Sequence, residues 1–332
     1  MKAQVIYSFG DPSVFTMVNV PIPEVTPEHV LIKVYGSSVN QIDCKVRSGA
    51  VSNIAPEFPA ILHGDVAGII EAVGKDVTQF KKGDEVYGCA GGFRGLGGAL
   101  AEFMLVDAKL IAKKPRLLSM QIASALPLVS ITAWIALFEK AKLTKGMSVL
   151  IHGGVGGVGH IAVQLAKSIG ATVYTTVRSN EDFSVAKSLG ADEIINTQYE
   201  SVEKYKKRLT ADHGFDIIFD TVGGANLDNS FLAAAINGII VTIAARSTHD
   251  LTPLHSKGLS LRCVNMLLPL LNNQHREHYA NILEKIASIV DERKLKPLID
   301  PHQFTLGTIV DAHVLLESGR AKGKVVVSVG DI

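Results

Sequence analysis

Short apolar and alternating runs, each stopped by glycine, proline or aspartate, occupy the first third of the chain. AQVIY (3–7), VLIKVYG (30–36) and AGIIEAVG (67–74) read as strands, because side chains alternate faces along an extended backbone and turn residues end each run. Pro21, Pro23 and Pro27 exclude helix between the first two. KKGDEVYG (81–88) reads as a turn entering a further strand. GGFRGLGGAL (91–100) reads as a loop, since its five glycines would cost too much conformational entropy in a regular element.

The period changes near residue 118. LLSMQIASALPLVSITAWIALFEKA has helical character with a break at Pro127. Strands and helices then alternate. SVLIH (148–152) is a strand and GGVGHIAVQLAKSIG a helix; ATVYTTV is a strand and EDFSVAKSLG a helix closed by Gly190. EII (193–195), DIIFD (216–220), GIIVTIAA (238–245) and LSLRCVN (259–265) are further strands. This βαβ alternation predicts a parallel sheet with helices on both faces. A helix from about Gln274 to Arg293 places Tyr279, Ile282, Leu283, Ile286 and Val290 on one face, and KVVVSV (324–329) is a closing strand. The pattern is that of a split β-rich domain, 1–125 plus 270–332, with an α/β domain inserted at 126–269.

The 332 residues suit two domains with cores of their own. A net charge of +1 and the lack of a basic stripe argue against a nucleic-acid partner, and the Lys-Lys pairs at 81–82, 113–114 and 206–207 read as solvated surface. Cys44, Cys89 and Cys263 are too few and too far apart for a disulfide framework or a thiolate zinc lobe, which fits a reducing, cytoplasmic setting. MKAQVIYSFG has no long apolar core, so a secretory leader is not expected. The longest greasy stretch, around Phe231 to Ala245, is too short for a bilayer, so no membrane is expected either.

The candidate chemistry centres on VLIHGGVGGVGHIAVQLAK. Gly154, Gly156 and Gly159 form G-x-G-x-x-G, and Gly153, Gly156 and Gly159 form G-x-x-G-x-x-G, with Gly157 and Val158 inside the loop. The loop follows an apolar strand and opens an amphipathic helix. There, glycines permit a tight turn and close approach, and the helix start offers N–H groups to a pyrophosphate. Dinucleotide sites for NAD place an acid at the end of the second strand. Here that strand ends in VYTTVRSN (173–180), so Thr176, Arg178 and Ser179 are expected at the cofactor, and Arg178 suits a 2′-phosphate. NADP(H) is the expected cofactor. Glu181 and Asp182 read as first-turn acids of a helix capped by Ser179 or Asn180.

With that loop placed, the chain resembles the medium-chain dehydrogenase/reductase superfamily over nearly its full length, and within it the quinone oxidoreductase and zeta-crystallin branch. The stretches that carry the resemblance are VNQIDCKVRSG (39–49), DVAGIIEAVG (65–74), FKKGDEVYG (80–88), LPLVSITAW (126–134), HGGVGGVGHIAVQLAK (152–167), SLGADEIIN (188–196), FDTVGG (219–224) and GKVVV (323–327). It implies a GroES-like catalytic domain, an inserted doubly wound Rossmann domain and a site in the cleft between them. It also implies Asn40 beside the nicotinamide ribose, Thr132 near the cofactor, and Val222, Ala244 and Ala245 approaching the nicotinamide.

Zinc members of the superfamily carry a ligating cysteine where this chain has Asn40, and a histidine where it has Gly64 beside Asp65. His63 lies one position off and reads as a structural or pocket histidine. No metal is therefore expected. Without one, hydride suits an acceptor that delocalises charge, a quinone or an enone. An enoyl reductase is the alternative enzyme, and a non-catalytic NADPH-binding protein of crystallin or RNA-binding type the alternative of another class. Asp43 reads as fixing the loop, or else as an acid. Many relatives carry a tyrosine where this chain has Lys45, so Lys45 is either a proton donor or oxyanion stabiliser, or a lysine at the rim. Arg47 reads as structural or cleft-lining, and Cys44 as a packed thiol. The apolar run 259–265, placed at a sheet edge by the resemblance, predicts a symmetric homodimer.

Overall fold

The computed structural model describes residues 1–330 and divides into two compact units. One comprises Met1–Ile131, Leu267–Arg293 and the chain from Pro297 on; the other comprises Thr132–Met266 with Lys294–Lys296.

The second unit is built on a six-stranded parallel sheet. Its spatial order is Glu193–Asn196, Thr172–Val177, Ser148–His152, Phe215–Asp220, Ala234–Thr242, Ser260–Cys263. In chain order this is 3-2-1-4-5-6, the doubly wound arrangement. Ser148–His152 and Phe215–Asp220 lie side by side at the centre, and their apolar side chains are buried on both faces. The core gathers Leu150, Ile195, Tyr205, Phe215, Ile218, Phe231 and Ile240, with Tyr174 edge-on to Phe215. Ser260–Cys263 lies at the edge of the sheet, as expected.

The first unit holds a mostly antiparallel sheet of seven strands. The eleven-residue strand His29–Val39 pairs with Asp65–Val73, Phe103–Asp107 and Val325–Ser328. Asp65–Val73 continues through Glu85–Cys89 to Ile111–Lys113. The helix Glu277–Asp291 buries the five residues named from its period: Tyr279, Ile282, Leu283, Ile286 and Val290.

Pro127 does interrupt the helical run, but as a start. Met120–Ala123 ends before it, and Pro127–Trp134 begins on it, where a missing N–H costs nothing. That helix continues as a π turn, Ile135–Lys140, with Ala141 N–H donating to Ala136 C=O. Met120–Lys140, rather than the run near Phe231, is the helical stretch long and apolar enough to cross a bilayer; 78% of its apolar window is buried inside the protein, as in a core helix.

Several helices are not evident from the pattern, among them Ala225–Ala233, Gln41–Arg47 and Ile309–Glu317. In the first, Asn, Asp and Ser are weak helix formers. The following strand begins at Ala234 and tolerates Asn237 because Asn adopts a positive φ, here 60°.

Candidate active site

In the second unit the glycine turn is held by its neighbours on the adjacent strand. Gly153, at φ 71°, donates its N–H to Thr176 Oγ1 (3.0 Å), and Gly154 N–H donates to Thr176 C=O (3.0 Å). A Cβ on Gly154 would lie 1.9 Å from Thr175 Oγ1; one on Gly159 would lie 2.0 Å from Gly153 C=O. The helix Gly159–Ser168 therefore starts in contact with the turn; no side chain caps it, and His160 N–H donates to Gly156 C=O (3.1 Å). Thr176 is thus brought to the loop as its anchor.

His152, the last residue of the central strand, is buried with Nδ1 3.3 Å from Thr176 Oγ1 and no partner on Nε2. Burial pushes its pKa down to about 4, with Asp220 pulling the other way. It lines a cavity of about 450 Å3 with Thr197, Tyr205 and Asn226. Thr197 and Asn226 follow the carboxyl ends of their strands, and the order reverses between Ser148–His152 and Phe215–Asp220, the position where doubly wound sheets bind ligands. A larger cavity, about 590 Å3 and lined by Lys113, Arg116 and Glu284 in the other unit, touches none of the expected site residues.

Asp220 escapes sequence reasoning, which saw only the end of an apolar strand. Its buried carboxylate accepts from Val222 N–H (2.8 Å), Gly223 N–H (2.9 Å), Asn226 Nδ2 (3.1 Å) and Ser230 Oγ (3.2 Å). It shapes a turn in which a Cβ on Gly223 would stand 2.4 Å from the Cβ of Ala244, so Val222 and Ala244 are neighbours. Ala245 is exposed beside them, and Thr132 is buried on the helix Pro127–Trp134. Arg178 is exposed at the end of Thr172–Val177, next to half-buried Ser179. The expected cap is corrected: no side chain caps Asp182–Ser188, and Asn180 Oδ1 instead accepts from Asn196 Nδ2 (2.7 Å).

In the first unit a polar cluster is buried at the end of His29–Val39. Asn40 opens the helix Gln41–Arg47, and Asp43 Oδ2 accepts its backbone N–H (2.8 Å). The expected loop is thus a helix, and Asp43, in its first turn, ties down the helix start; burial pushes its pKa up to about 7 against the pull of that N–H. Asn40 Nδ2 and Ser38 Oγ donate to Asp65 Oδ2 (2.8 and 2.7 Å), and Leu128 N–H donates to Asp65 Oδ1 (2.9 Å). The ammonium of Lys324 lies 3.5 Å from Asp65 Oδ2 and donates to Val39 C=O (3.3 Å) and to Asn40 Oδ1. Sequence reasoning missed both charged members. Asp65 was visible only beside an absent zinc histidine, and Lys324 only as the first residue of a strand.

His63 and His313 complete the cluster. Ser37 Oγ donates to Asp65 C=O (2.7 Å), so His63 Nδ1 must donate to Ser37 Oγ (3.2 Å). His63 Nε2 is then an acceptor, and His313 Nε2, 2.9 Å away, carries the proton. His313 Nδ1 accepts from Arg47 Nε (3.3 Å) and lies 3.4 Å from Cys44 Sγ. Both rings are neutral. Burial holds His63 well below the usual histidine range and takes His313 to about 3. Burial also lifts the Cys44 thiol to about 12, so it packs rather than reacts. Buried Arg47 ends the chain on Gly10 C=O and Glu317. Lys45, on the same helix, is exposed and its ammonium has no protein partner among the described residues.

Among the described residues no group of three or more His, Cys, Asp or Glu is placed to hold a metal. His63 spends both nitrogens on the chain, and an ammonium faces Asp65. This donor set does not fit zinc.

Residues 26–116 match the alcohol dehydrogenase GroES-like domain, and 189–327 the zinc-binding dehydrogenase family. The chain is 33% identical to a 2-methylene-furan-3-one reductase of Solanum lycopersicum, over 98% of this chain and 79% of that protein. It is 30% identical to the quinone oxidoreductase of Homo sapiens, over 98% and 97%. The chain belongs to the medium-chain dehydrogenase/reductase superfamily. It is an oxidoreductase of that superfamily, and its fold is shared with solved members. An alcohol dehydrogenase superfamily protein from Novosphingobium aromaticivorans superposes with a TM-score of 0.95 at 38% identity, over 99% of this chain and 100% of the other. A mycobacterial protein solved with NADPH superposes at 0.87 and 27%, over 99% and 100%.

Proposed function

We propose that this protein is an NADPH-dependent reductase that delivers hydride to a quinone or a related conjugated carbonyl without zinc. The observation that carries the reading is the glycine cradle at the end of Ser148–His152, closed so tightly that no Cβ fits at Gly154 or Gly159. The orphaned Nε2 of His152 and the cavity beside it fit the same cofactor. The relative solved with NADPH supports NADP(H), and the named human and tomato relatives support quinone and enone acceptors. Gly153, Gly154, Gly156, Gly157, Val158 and Gly159 would hold the pyrophosphate, and Arg178 with Ser179 the 2′-phosphate. Val222, Ala244 and Ala245 would face the nicotinamide, Asn40 its ribose, with Thr132 near. When bound, NADP(H) supplies the hydride.

The test is NADPH oxidation by chelated protein against a quinone panel and an enone panel. Turnover that survives chelation is expected. A stoichiometric zinc whose removal abolishes activity and whose return restores it would overturn the zinc-free reading, and turnover confined to enones would favour the tomato enzyme's class of acceptor.

Arg178→Ala is expected to raise KM for NADPH about tenfold to a hundredfold, the worth of one charge-assisted contact, and to leave KM for NADH nearly unchanged. Equal effects on both cofactors would remove Arg178 from this role. Lys45, exposed and uncommitted, would steady the oxygen anion formed on hydride arrival, or protonate it. Lys45→Met is expected to lower turnover about tenfold to a hundredfold at saturating quinone. Survival of activity in Lys45→Arg assigns it charge alone, and wild-type turnover in Lys45→Met discards the role. We also propose that the edge strand Ser260–Cys263 pairs two copies into a dimer; a monomer by light scattering at micromolar concentration would contradict this.

A further inference from the structure

A further polar cluster lies within the unit Thr132–Met266, in the loop that follows the strand Ala234–Thr242. Ser247 Oγ lies 2.5 Å from His249 Nε2, and His249 Nδ1 lies 2.8 Å from Asp228 Oδ1. An ionised carboxylate only accepts, so in the neutral ring Nδ1 carries the proton and donates it to Asp228. Nε2 then holds the lone pair, and the Ser247 hydroxyl donates to it. Carboxylate, imidazole and hydroxyl stand in line, with each nitrogen in the role that nucleophilic catalysis asks of it.

Closeness in sequence accounts for only half of this arrangement. A serine and a histidine two residues apart can meet in any loop. Asp228 comes from another element, the first turn of the helix Ala225–Ala233, and it takes the other nitrogen. The ring is also held in place: its side chain is 8% exposed and it stands edge-on to Phe231, with 6.0 Å between centroids. Ser247 itself is exposed, so its oxygen is open to a molecule from solvent. The backbone around it is irregular. Among the described residues, the N–H groups of Ala245, Arg246, Ser247, Thr248 and His249 make no hydrogen bond. Uncommitted donors beside a nucleophile are what a developing oxyanion needs.

We propose that Ser247, His249 and Asp228 form a second reactive centre, a hydrolytic triad that cleaves small carboxylic esters with good leaving groups. Ser247 Oγ attacks the ester carbonyl carbon while His249 Nε2 takes its proton. As the ester C–O bond breaks, His249 gives that proton to the departing oxygen. Water then attacks the acyl-serine carbonyl and gives a proton to His249 Nε2. The carboxylic acid leaves, and the proton returns to Ser247 Oγ. Asp228 keeps Nδ1 protonated and offsets the charge of the imidazolium. The reaction is a hydrolysis, so it needs no oxidant or reductant and is independent of the reductase reading. Ser247 stands on an exposed loop, so the reactivity of the leaving group, rather than fit, selects the substrate.

The test is hydrolysis of p-nitrophenyl acetate by the full-length protein, with the modified residue located by mass spectrometry after treatment with phenylmethanesulfonyl fluoride. Wild type is expected to turn the ester over and to carry one sulfonyl group, on Ser247. Ser247→Ala and His249→Gln are each expected to lower turnover about a hundredfold, the worth of a nucleophile with its positioned base, and Asp228→Asn about tenfold. The Ser247→Ala, His249→Gln double variant is expected to be no slower than Ser247→Ala, because the groups act as one unit. Unfolding midpoints are followed in parallel, and the label on wild type decides the matter should a variant fail to fold. Three results overturn the proposal: no turnover by wild type, wild-type turnover in Ser247→Ala, or an unlabelled Ser247. Modification found instead on exposed Cys263 or on surface lysines overturns it equally, since it describes ordinary exposed nucleophiles.

Discussion

Gly159→Ala is expected to abolish useful binding of NADPH, lowering affinity by at least about a hundredfold, which is near 2.7 kcal/mol. The added Cβ would stand 2.0 Å from Gly153 C=O, 2.8 Å from its carbonyl carbon and 3.1 Å from Gly154 Cα. All three are backbone atoms, so no side chain can swing aside. The helix start or the turn must move, and movement of the turn pulls Gly153 N–H from Thr176 Oγ1 and Gly154 N–H from Thr176 C=O. Overpacking of this kind costs about 1–3 kcal/mol in stability as well. Gly97→Ala, where a Cβ meets nothing within 4 Å, is the control and is expected to leave both properties alone. Measuring NADPH affinity and unfolding temperature for the two variants decides the matter; near-wild-type binding in Gly159→Ala would mean that the cradle does not hold the pyrophosphate.

The second large effect is a loss of stability in acid. His63, His152 and His313 are buried and neutral, with His152 lowered to about 4, His313 to about 3 and His63 well below its ordinary 6.5. In the unfolded chain each takes up a proton near pH 6.5, while the folded protein does not until much lower pH. The unfolded state therefore binds more protons, and stability present above pH 6.5 is lost as pH falls toward 4. Asp43 works the other way. Its folded pKa, about 7 against 3.8, makes the folded state bind more protons between those values, so its contribution grows as pH falls. Three histidines against one aspartate leave a net loss of stability between pH 7 and pH 4. Urea unfolding at pH 7, 5.5 and 4.5 would show it. His313→Gln, whose amide can still accept from Arg47 and donate to His63, should flatten the slope by about half. A midpoint that does not move with pH would show that these rings are not held neutral.

The doubly wound sheet was legible because its central strands are continuous apolar runs and its first turn is a glycine string that few other structures require. The buried face of Glu277–Asp291 was legible from period alone. Ala225–Ala233 was not, because its Asn-Leu-Asp-Asn-Ser run has neither strong propensity nor a clean apolar stripe. The candidate site residues that sequence reasoning named lie in local motifs: the glycine loop, Asn40 with Asp43 three residues on, and Arg178 at a strand end. The ones it missed are joined over long separations. Lys324 meets Asn40 across 284 residues and His313 meets His63 across 250. A lysine heading an apolar strand looks like any surface lysine until the strand paired with it is known, and nothing local to His313 marks it as the partner of another ring.

That separation has a consequence during synthesis. The unit spanning Thr132–Met266 is nearly contiguous and can close while the chain is still growing, whereas Val325–Ser328 must come off the ribosome before it can pair with His29–Val39. At roughly 5–20 residues per second, Lys324 follows Asn40 by roughly 15 to 60 seconds. Throughout that interval the strand His29–Val39 has an open edge and Asp65 has no cation to face. The nascent protein thus carries a finished nucleotide fold beside an unfinished sheet, and this is the stretch of its life in which a chaperone has something to hold.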